Sequence, residues 1–326
     1  MRTLSAVIAV AAILGTGGAV SPAGAQQPLG IGTSPQGTLT YQIGAAFGQA
    51  VGEALGRQAR VQPQSGTGVM VPLVDSGELD IGFVNTLEMT DAFTGTGTFD
   101  GRPQENIRMV AVMFPIRVGM FVRADSDIES VEDLAGKRLA WGYTSQAIIQ
   151  TVLNGVLANA GLGPDDVEQV LVPNLIRGVD EFIAGNVDAG FFAIGPAKVA
   201  EADAAVGGIR FLPMNESDEA QARMEEAVPS SYIATVQPTA ATTGVEVPLP
   251  TMHYNYTMFV NADLPPELVH DLTAVLAERS EQMADAVPLF RMLKPEQLWR
   301  DFGVPYHPGA IDYYEKNGIA QTALGG

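Results

Sequence analysis

The segment Leu29 to Gly56, LGIGTSPQGTLTYQIGAAFGQAVGEALG, constrains the folds open to this chain more than any other. Its apolar opening, Leu29 to Ile31, predicts a buried strand. Thr33-Ser34-Pro35-Gln36-Gly37 then breaks it with turn formers and small hydroxyls. Ile43, Phe47, Val51 and Leu55, four residues apart, predict a helix that begins at Thr38. A strand, a polar turn and a helix start leave free backbone N–H groups at the positive end of a helix dipole, which suits an anion. The same pattern also serves as an ordinary capped β–α connection. Gly44, Gly48, Gly52 and Gly56 recur every fourth residue of the helix. Each interior glycine costs roughly 0.5–1 kcal/mol against alanine, so the row predicts close approach to a sheet or a second helix. Gln49, Glu53 and Arg57 interrupt it, which excludes a membrane-dimer reading.

The unit repeats. Ala59 to Gln62 predicts a second strand, Gln64 to Gly68 a second polar turn, and Val69 to Val74 a short helix ended by Asp75-Ser76-Gly77. Leu79 to Val84 predicts a third strand, with Asn85-Thr86 at its carboxyl end. Open α/β sheets bind ligands outside the carboxyl ends of their strands. Three turns sharing one edge therefore make Thr33, Ser34, Gln36, Thr38, Ser65, Gly66, Thr67, Gly68, Asn85 and Thr86 the candidate ligand residues of a first domain.

Thr94 to Gln104 reads as a glycine-rich surface loop, and Ile107 to Phe114 and Val118 to Arg123 as two strands. Ser130 to Lys137 reads as a short helix capped by Ser130 and ended by Gly136. Arg138 to Trp141 predicts a strand, Gly142 to Gln146 another polar turn, and Ala147 to Ala160 a helix. Tyr143, Thr144, Ser145 and Gln146 are thus the candidates of a second domain. The alternation continues to Ala204. Ser230 to Pro250, rich in Thr, Pro and Val, suits a return crossing, and Met252 to Val260 alternates as a strand. A helix opens at Pro265-Pro266 and ends near Arg279. The division expected is 26–123 with 241–326 as one domain and 124–240 as the other.

Arg2, the apolar run Ala6 to Leu14 and Ala23-Gly24-Ala25 have the layout of a secretory signal peptide at 1–25, which predicts a periplasmic protein. No later run is long and apolar enough to span a bilayer, so direct membrane insertion is not expected. The chain has no cysteine, which excludes disulfides, thiolate metal sites and cysteine nucleophiles. Its formal charge is −19, which argues against nucleic acid as a partner. That charge also repels an anionic ligand at long range, but screening within roughly 8–10 Å and local helix termini leave such binding open. Two basic residues near the candidate turns stand out, Arg117 and Arg177. Arg177 has the fork geometry to clamp a carboxylate, and each also fits a surface position.

The run IGT…YQIG, then QSGTG, then LVDSGELDIGFVN resembles the TAXI-type solute receptors of tripartite ATP-independent periplasmic (TRAP) transporters. VGMFVRADSDIESVEDLAGKRLAWG and FIAGNVDAGFF extend the resemblance over almost all the chain after residue 25. SVEDLAGK is similar to many type II periplasmic binding proteins and speaks for fold more than subfamily. The resemblance implies an α/β fold of two domains joined by hinge strands, a clamp that closes on a small organic anion such as glutamate, 2-oxoglutarate or a related carboxylate. It implies TRAP membrane subunits as partners, and no cofactor. The chain departs from the family where Ser34-Pro35-Gln36-Gly37-Thr38 replaces G-S-T-G-G, and again where Thr144-Ser145-Gln146-Ala147-Ile148 replaces a P-G-S-G-T-like turn. Receptors of ABC importers and of tripartite tricarboxylate transporters share the fold and remain alternatives. An exported enzyme on the same fold is the remote one. His253, His270 and His307 show no metal-ligand spacing, and no nucleophile or phosphate-loop motif is present, so neither a metal nor catalysis is expected.

Overall fold

The computed structural model describes residues 27–36, 38–144 and 146–324. The expected signal peptide, Gly37 and Ser145 lie outside them. Strand β1 (Leu29–Thr33) is buried at all five residues, as a strand covered on both faces must be. Helix α1 (Leu39–Leu55) follows, capped by Thr38, whose hydroxyl accepts from the Tyr41 N–H at 3.2 Å and donates to the Pro35 carbonyl at 2.7 Å. With that hydroxyl engaged in capping, Thr38→Ala should cost about 1 kcal/mol of stability, read from urea unfolding.

A Cβ on Gly44 would lie 2.5 Å from Thr33 Cγ2, and one on Gly48 would lie 3.2 Å from Ile31 Cδ1. The glycine row is thus a close approach of α1 to β1 at these two positions. The approach fades at Gly52, whose Cβ would meet only the Arg57 carbonyl at 3.9 Å. Gly56 is the helix C-cap at φ +62°.

Next come β2 (Ala59–Pro63), α2 (Thr67–Asp75), β3 (Ile81–Asn85) and α3 (Thr86–Thr94). The two strands expected at 107–114 and 118–123 are one continuous strand, β4 (Ile107–Arg123). The helix expected at 130–137 is a single 3-10 turn, Glu132–Leu134, whose entry is held by Asp133 accepting from the Ser130 N–H and hydroxyl. The chain continues through β5 (Arg138–Gly142), α4 (Ala147–Asn159), β6 (Glu168–Val172), α5 (Leu175–Ile183), β7 (Gly190–Ala193), α6 (Ala197–Val206) and β8 (Ile209–Phe211). Then follow α7 (Asp218–Ala227), β9 (Tyr232–Val236), β10 (Leu249–Asn261) and α8 (Pro266–Glu278).

The main sheet runs β2-β1-β3-β10-β4-β7, with β8 on β4 and β9 on β10; β5 and β6 form a parallel pair tied to the β7 side by a Leu139–Ala189 bridge. β1, β2 and β3 are parallel, and β10 runs against both β3 and β4. Two apolar cores result. The first gathers β1, β3, α1, residues 107–114 of β4, the 258–260 end of β10, α8 and the C-terminal helix Pro308–Lys316. The second gathers residues 118–122 of β4, β5, α4, β7 and Met252 and Tyr254 of β10. The antiparallel pair β4–β10 therefore passes from one core to the other, with the crossing at Pro115–Arg117 and Asn255.

Candidate functional site

The crossing is where the strand ends converge. β3 ends at Asn85 opposite Tyr256, and β7 ends at Ala193 opposite Val118, with the Ile194 N–H donating to the Arg117 carbonyl at 2.8 Å. The carboxyl ends of the parallel strands in both lobes thus open beside the same stretch of β4 and β10.

On the first-lobe wall the predicted turns after β2 and β3 meet around a carboxyl that the sequence reading did not single out. Glu88, in the first turn of α3, accepts from Thr67 Oγ1 at 2.8 Å and from Asn85 Nδ2 at 2.6 Å. Asn85 also caps α3, its Oδ1 accepting from the Glu88 N–H at 2.9 Å. Burial pushes the Glu88 carboxyl above the usual range, and the hydrogen bonds from Thr67 and Asn85 pull it partly back. Its charge in turn raises Tyr254 and Tyr256, both already raised by burial, Tyr256 to about 12. The starts of α2 and α3 are therefore linked through Thr67, Glu88 and Asn85.

This changes what the wall offers a ligand. Thr67 and Asn85 were expected to face an anion, and they serve an internal carboxyl instead. Thr86 is fully buried; its hydroxyl accepts from the Asn255 N–H at 3.3 Å and donates to the Ser230 carbonyl at 3.4 Å, bridging the lobes. Ser230, at φ +66°, also places its hydroxyl 3.1 Å from that of Thr90. Thr33 is fully buried too, and its Oγ1 has no hydrogen-bond partner among the described residues. Ser34, Gly66 and Thr67 are partly exposed, and Gln36, Ser65 and Gly68 are exposed at the rim.

Because the folded-state pKa of Glu88 lies above its unfolded value, its contribution to stability is full below about pH 4.5 and is lost as pH rises through the folded pKa. Glu88→Gln keeps the shape and mimics the protonated carboxyl: its one oxygen accepts from Asn85 and its amide donates to the Thr67 hydroxyl, which can turn to accept. Its stability relative to the parent should therefore rise between pH 4 and pH 8, which urea unfolding across that range reads directly.

In the second lobe, Gln146, Asn174, Leu175, Ile176, Arg177 and Phe192 line an open groove of about 660 Å³ at the ends of β5, β6 and β7. Gln146 Oε1 accepts from the Leu175 N–H at 3.0 Å, joining the turn after β5 to the start of α5. Thr144 is exposed. Tyr143, expected at the ligand, is 1% exposed and packs in the second core at φ +40°, so it shapes the turn from beneath. The carboxylate clamp expected of Arg177 is already satisfied within its own helix, by Asp180 at 2.9 Å and Glu181 at 3.1 Å.

Arg117 is different. It is half-buried at the crossing, and burial alone lowers its pKa, with no acid opposing the shift. No carboxylate pairs with it among the described residues. A Cβ on Gly195, just beyond β7, would lie 3.9 Å from its Nη2. Its cross-strand partner His253 is buried, and desolvation with the nearby Arg117 charge lowers its pKa to about 4. His253 is thus neutral at pH 7, and Arg117 carries the local positive charge. Arg300 approaches from the first lobe near Tyr232, but it is 6% exposed and its Nε donates to the Gln297 carbonyl.

The histidines stay apart in space as in sequence. His270 Nδ1 lies 2.7 Å from Asp312 Oδ2 on the surface, and His307 caps the C-terminal helix through Nδ1. Among the described residues no cluster of His, Asp and Glu is arranged to hold a metal ion, and no helix is long and apolar enough to cross a membrane.

Comparison with solved structures gives the same architecture. A TctC solute binding protein from Polaromonas superposes with a TM-score of 0.56 at 16% identity, over 90% of this chain and 97% of that one. PhnD1 from Prochlorococcus marinus, solved in complex with methylphosphonate, gives 0.50 at 12% identity, over 90% and 98%. These likenesses show the fold, the two-domain α/β architecture of periplasmic solute-binding proteins. Residues 31–318 match the profile of the NMT1-like family, and the chain belongs to that family.

Proposed function

We propose that the protein is a periplasmic solute receptor whose two lobes close on a small organic acid and deliver it to a membrane permease. The observation that carries this reading is Arg117, a half-buried cation without an acidic partner among the described residues, at the point where the strand ends of both lobes converge. A cation so placed favours an anionic group of a ligand, and a carboxylate fits its fork. In this reading the lobes are the expected 26–123 with 241–326 and 124–240, a division the two cores support, with the β4–β10 crossing as hinge. A ligand that touches both walls binds the closed state better than the open one and so shifts the population toward closure. Nothing in the reading requires catalysis or a cofactor.

The sequence resemblance favours TRAP membrane subunits as the recipient and glutamate, 2-oxoglutarate or a related carboxylate as the cargo. The likeness to the TctC protein supports a second reading, a receptor of a tripartite tricarboxylate transporter. Genes for the membrane partner beside this one separate the two. For the receptor itself the test is a thermal-shift panel of mono-, di- and tricarboxylic acids. A true ligand at a hundred times its Kd stabilises by about 2.7 kcal/mol, a clear rise in melting temperature. No shift with any organic acid would remove the reading.

A further inference from the structure

Two features of the cleft are not those of a dicarboxylate site. The first-lobe wall carries a carboxyl, Glu88, held by Thr67 and Asn85 where the turns after β2 and β3 meet. No basic side chain pairs with it among the described residues. The second-lobe wall carries an apolar patch beside Gln146 and Asn174: Leu175 is partly exposed and Ile176 48% exposed at the start of α5, and the edge of the largely buried Phe192 joins them in the groove. Among the described residues that line the groove the one cation, Arg177, is paired with Asp180 and Glu181. Arg117 remains at the crossing, beside the end of the strand that carries Phe192.

We infer that the ligand is a zwitterion with an apolar body, an apolar 2-amino acid. Its carboxylate lies on Arg117, its ammonium is directed to Glu88 and its side chain rests against Leu175, Ile176 and Phe192. This rests on the receptor reading above and narrows it. A second carboxylate directed at the first-lobe wall would meet a like charge, or would require Glu88 to be protonated, whereas an ammonium gains a charged acceptor there. A second carboxylate directed at the apolar patch would lose hydration without a partner. Capping alone accounts for the Asn85–Glu88 contact, since N-x-x-E is a helix-start pattern. It does not account for the carboxyl also drawing in Thr67 from another helix. Burial with no cation beside it raises the Glu88 pKa, and an ammonium at that carboxyl would favour its charged form.

The experiment pairs each amino acid with its 2-oxo analogue, which keeps the carboxylate and the side chain and removes the ammonium. Calorimetry on the full receptor compares leucine with 4-methyl-2-oxopentanoate, phenylalanine with phenylpyruvate, and glutamate with 2-oxoglutarate. The inference predicts that leucine or phenylalanine binds at least about tenfold more tightly than its oxo acid, the scale of one charged hydrogen bond. In Glu88→Gln that preference should collapse to within about threefold, while the oxo acids bind as before and the melting temperature does not fall. Oxo acids or glutamate binding as well as leucine and phenylalanine, or an amino-acid preference that survives Glu88→Gln, would overturn the inference and leave the receptor reading standing. Failure of all six compounds and of the wider acid panel would sink the receptor reading itself.

Discussion

Arg117→Ala should abolish most ligand affinity while leaving the fold as stable as before. A charge-assisted hydrogen bond contributes roughly 1.5–3 kcal/mol, so losing it weakens binding by about tenfold to a hundredfold or more. The fold itself receives little from this guanidinium. It is half-buried without an acidic partner, and removing an uncompensated charge offsets the lost packing of its stem. Calorimetric affinity for the best acid of the panel and a melting curve decide the matter together. A variant that melts earlier and binds normally would make Arg117 a structural residue. Arg177→Ala is the internal control, since its guanidinium is held by Asp180 and Glu181, and it should leave affinity nearly unchanged.

The largest stability effect is expected in the glycine row, and it should differ from one glycine to the next. Gly44→Leu drives a side chain into Thr33 and Ile31, both fully buried and unable to yield without moving β1. Overpacking of this kind costs on the order of 1–3 kcal/mol or more. Gly48→Leu meets Ile31 and Ala59 at 3.2 and 3.4 Å and should cost less, still within that range. Gly52→Ala should stabilise by about 0.5–1 kcal/mol, because its Cβ meets nothing closer than a carbonyl at 3.9 Å and alanine restrains the unfolded chain. Urea unfolding of the three variants reads the gradient, and equal effects at Gly44 and Gly52 would contradict the close approach of α1 to β1.

The α/β alternation was legible because its signals are local. Buried parallel strands show as short apolar runs, and α1 shows as a four-residue apolar period. The continuous strand β4 was not legible, because Pro115 interrupts the run with a residue that central strands rarely hold. Pro115 sits opposite Asn255, beside the irregularity where β10 shifts register between Asn255 and Thr257, and there the missing N–H is tolerated. The residue that conceals the hinge from the sequence is thus part of it.

The site was legible in outline only. The turns after β1, β2 and β3 do gather at one edge, but spacing alone cannot tell which hydroxyls turn inward. Thr38 caps its helix, Thr86 bridges the lobes and Tyr143 fills the second core. Glu88 had a signal, the N-x-x-E pattern from Asn85, but a capping pattern says nothing of Thr67 reaching across from α2. Of the two basic residues near polar turns, the sequence favours Arg177 and not Arg117 as the carboxylate clamp. The acids at i+3 and i+4 of Arg177 were the signal against it, because helix geometry brings them to its guanidinium.

The most direct measurement is a crystal structure of the protein with the tightest acid from the panel. The account predicts one carboxylate within hydrogen-bond distance of the Arg117 guanidinium, the ligand touching both the Asn85–Glu88 wall and the groove at Leu175 and Phe192, and the lobes drawn together about the β4–β10 crossing. A ligand seated in one lobe alone, or held with its anionic group away from Arg117, would contradict it.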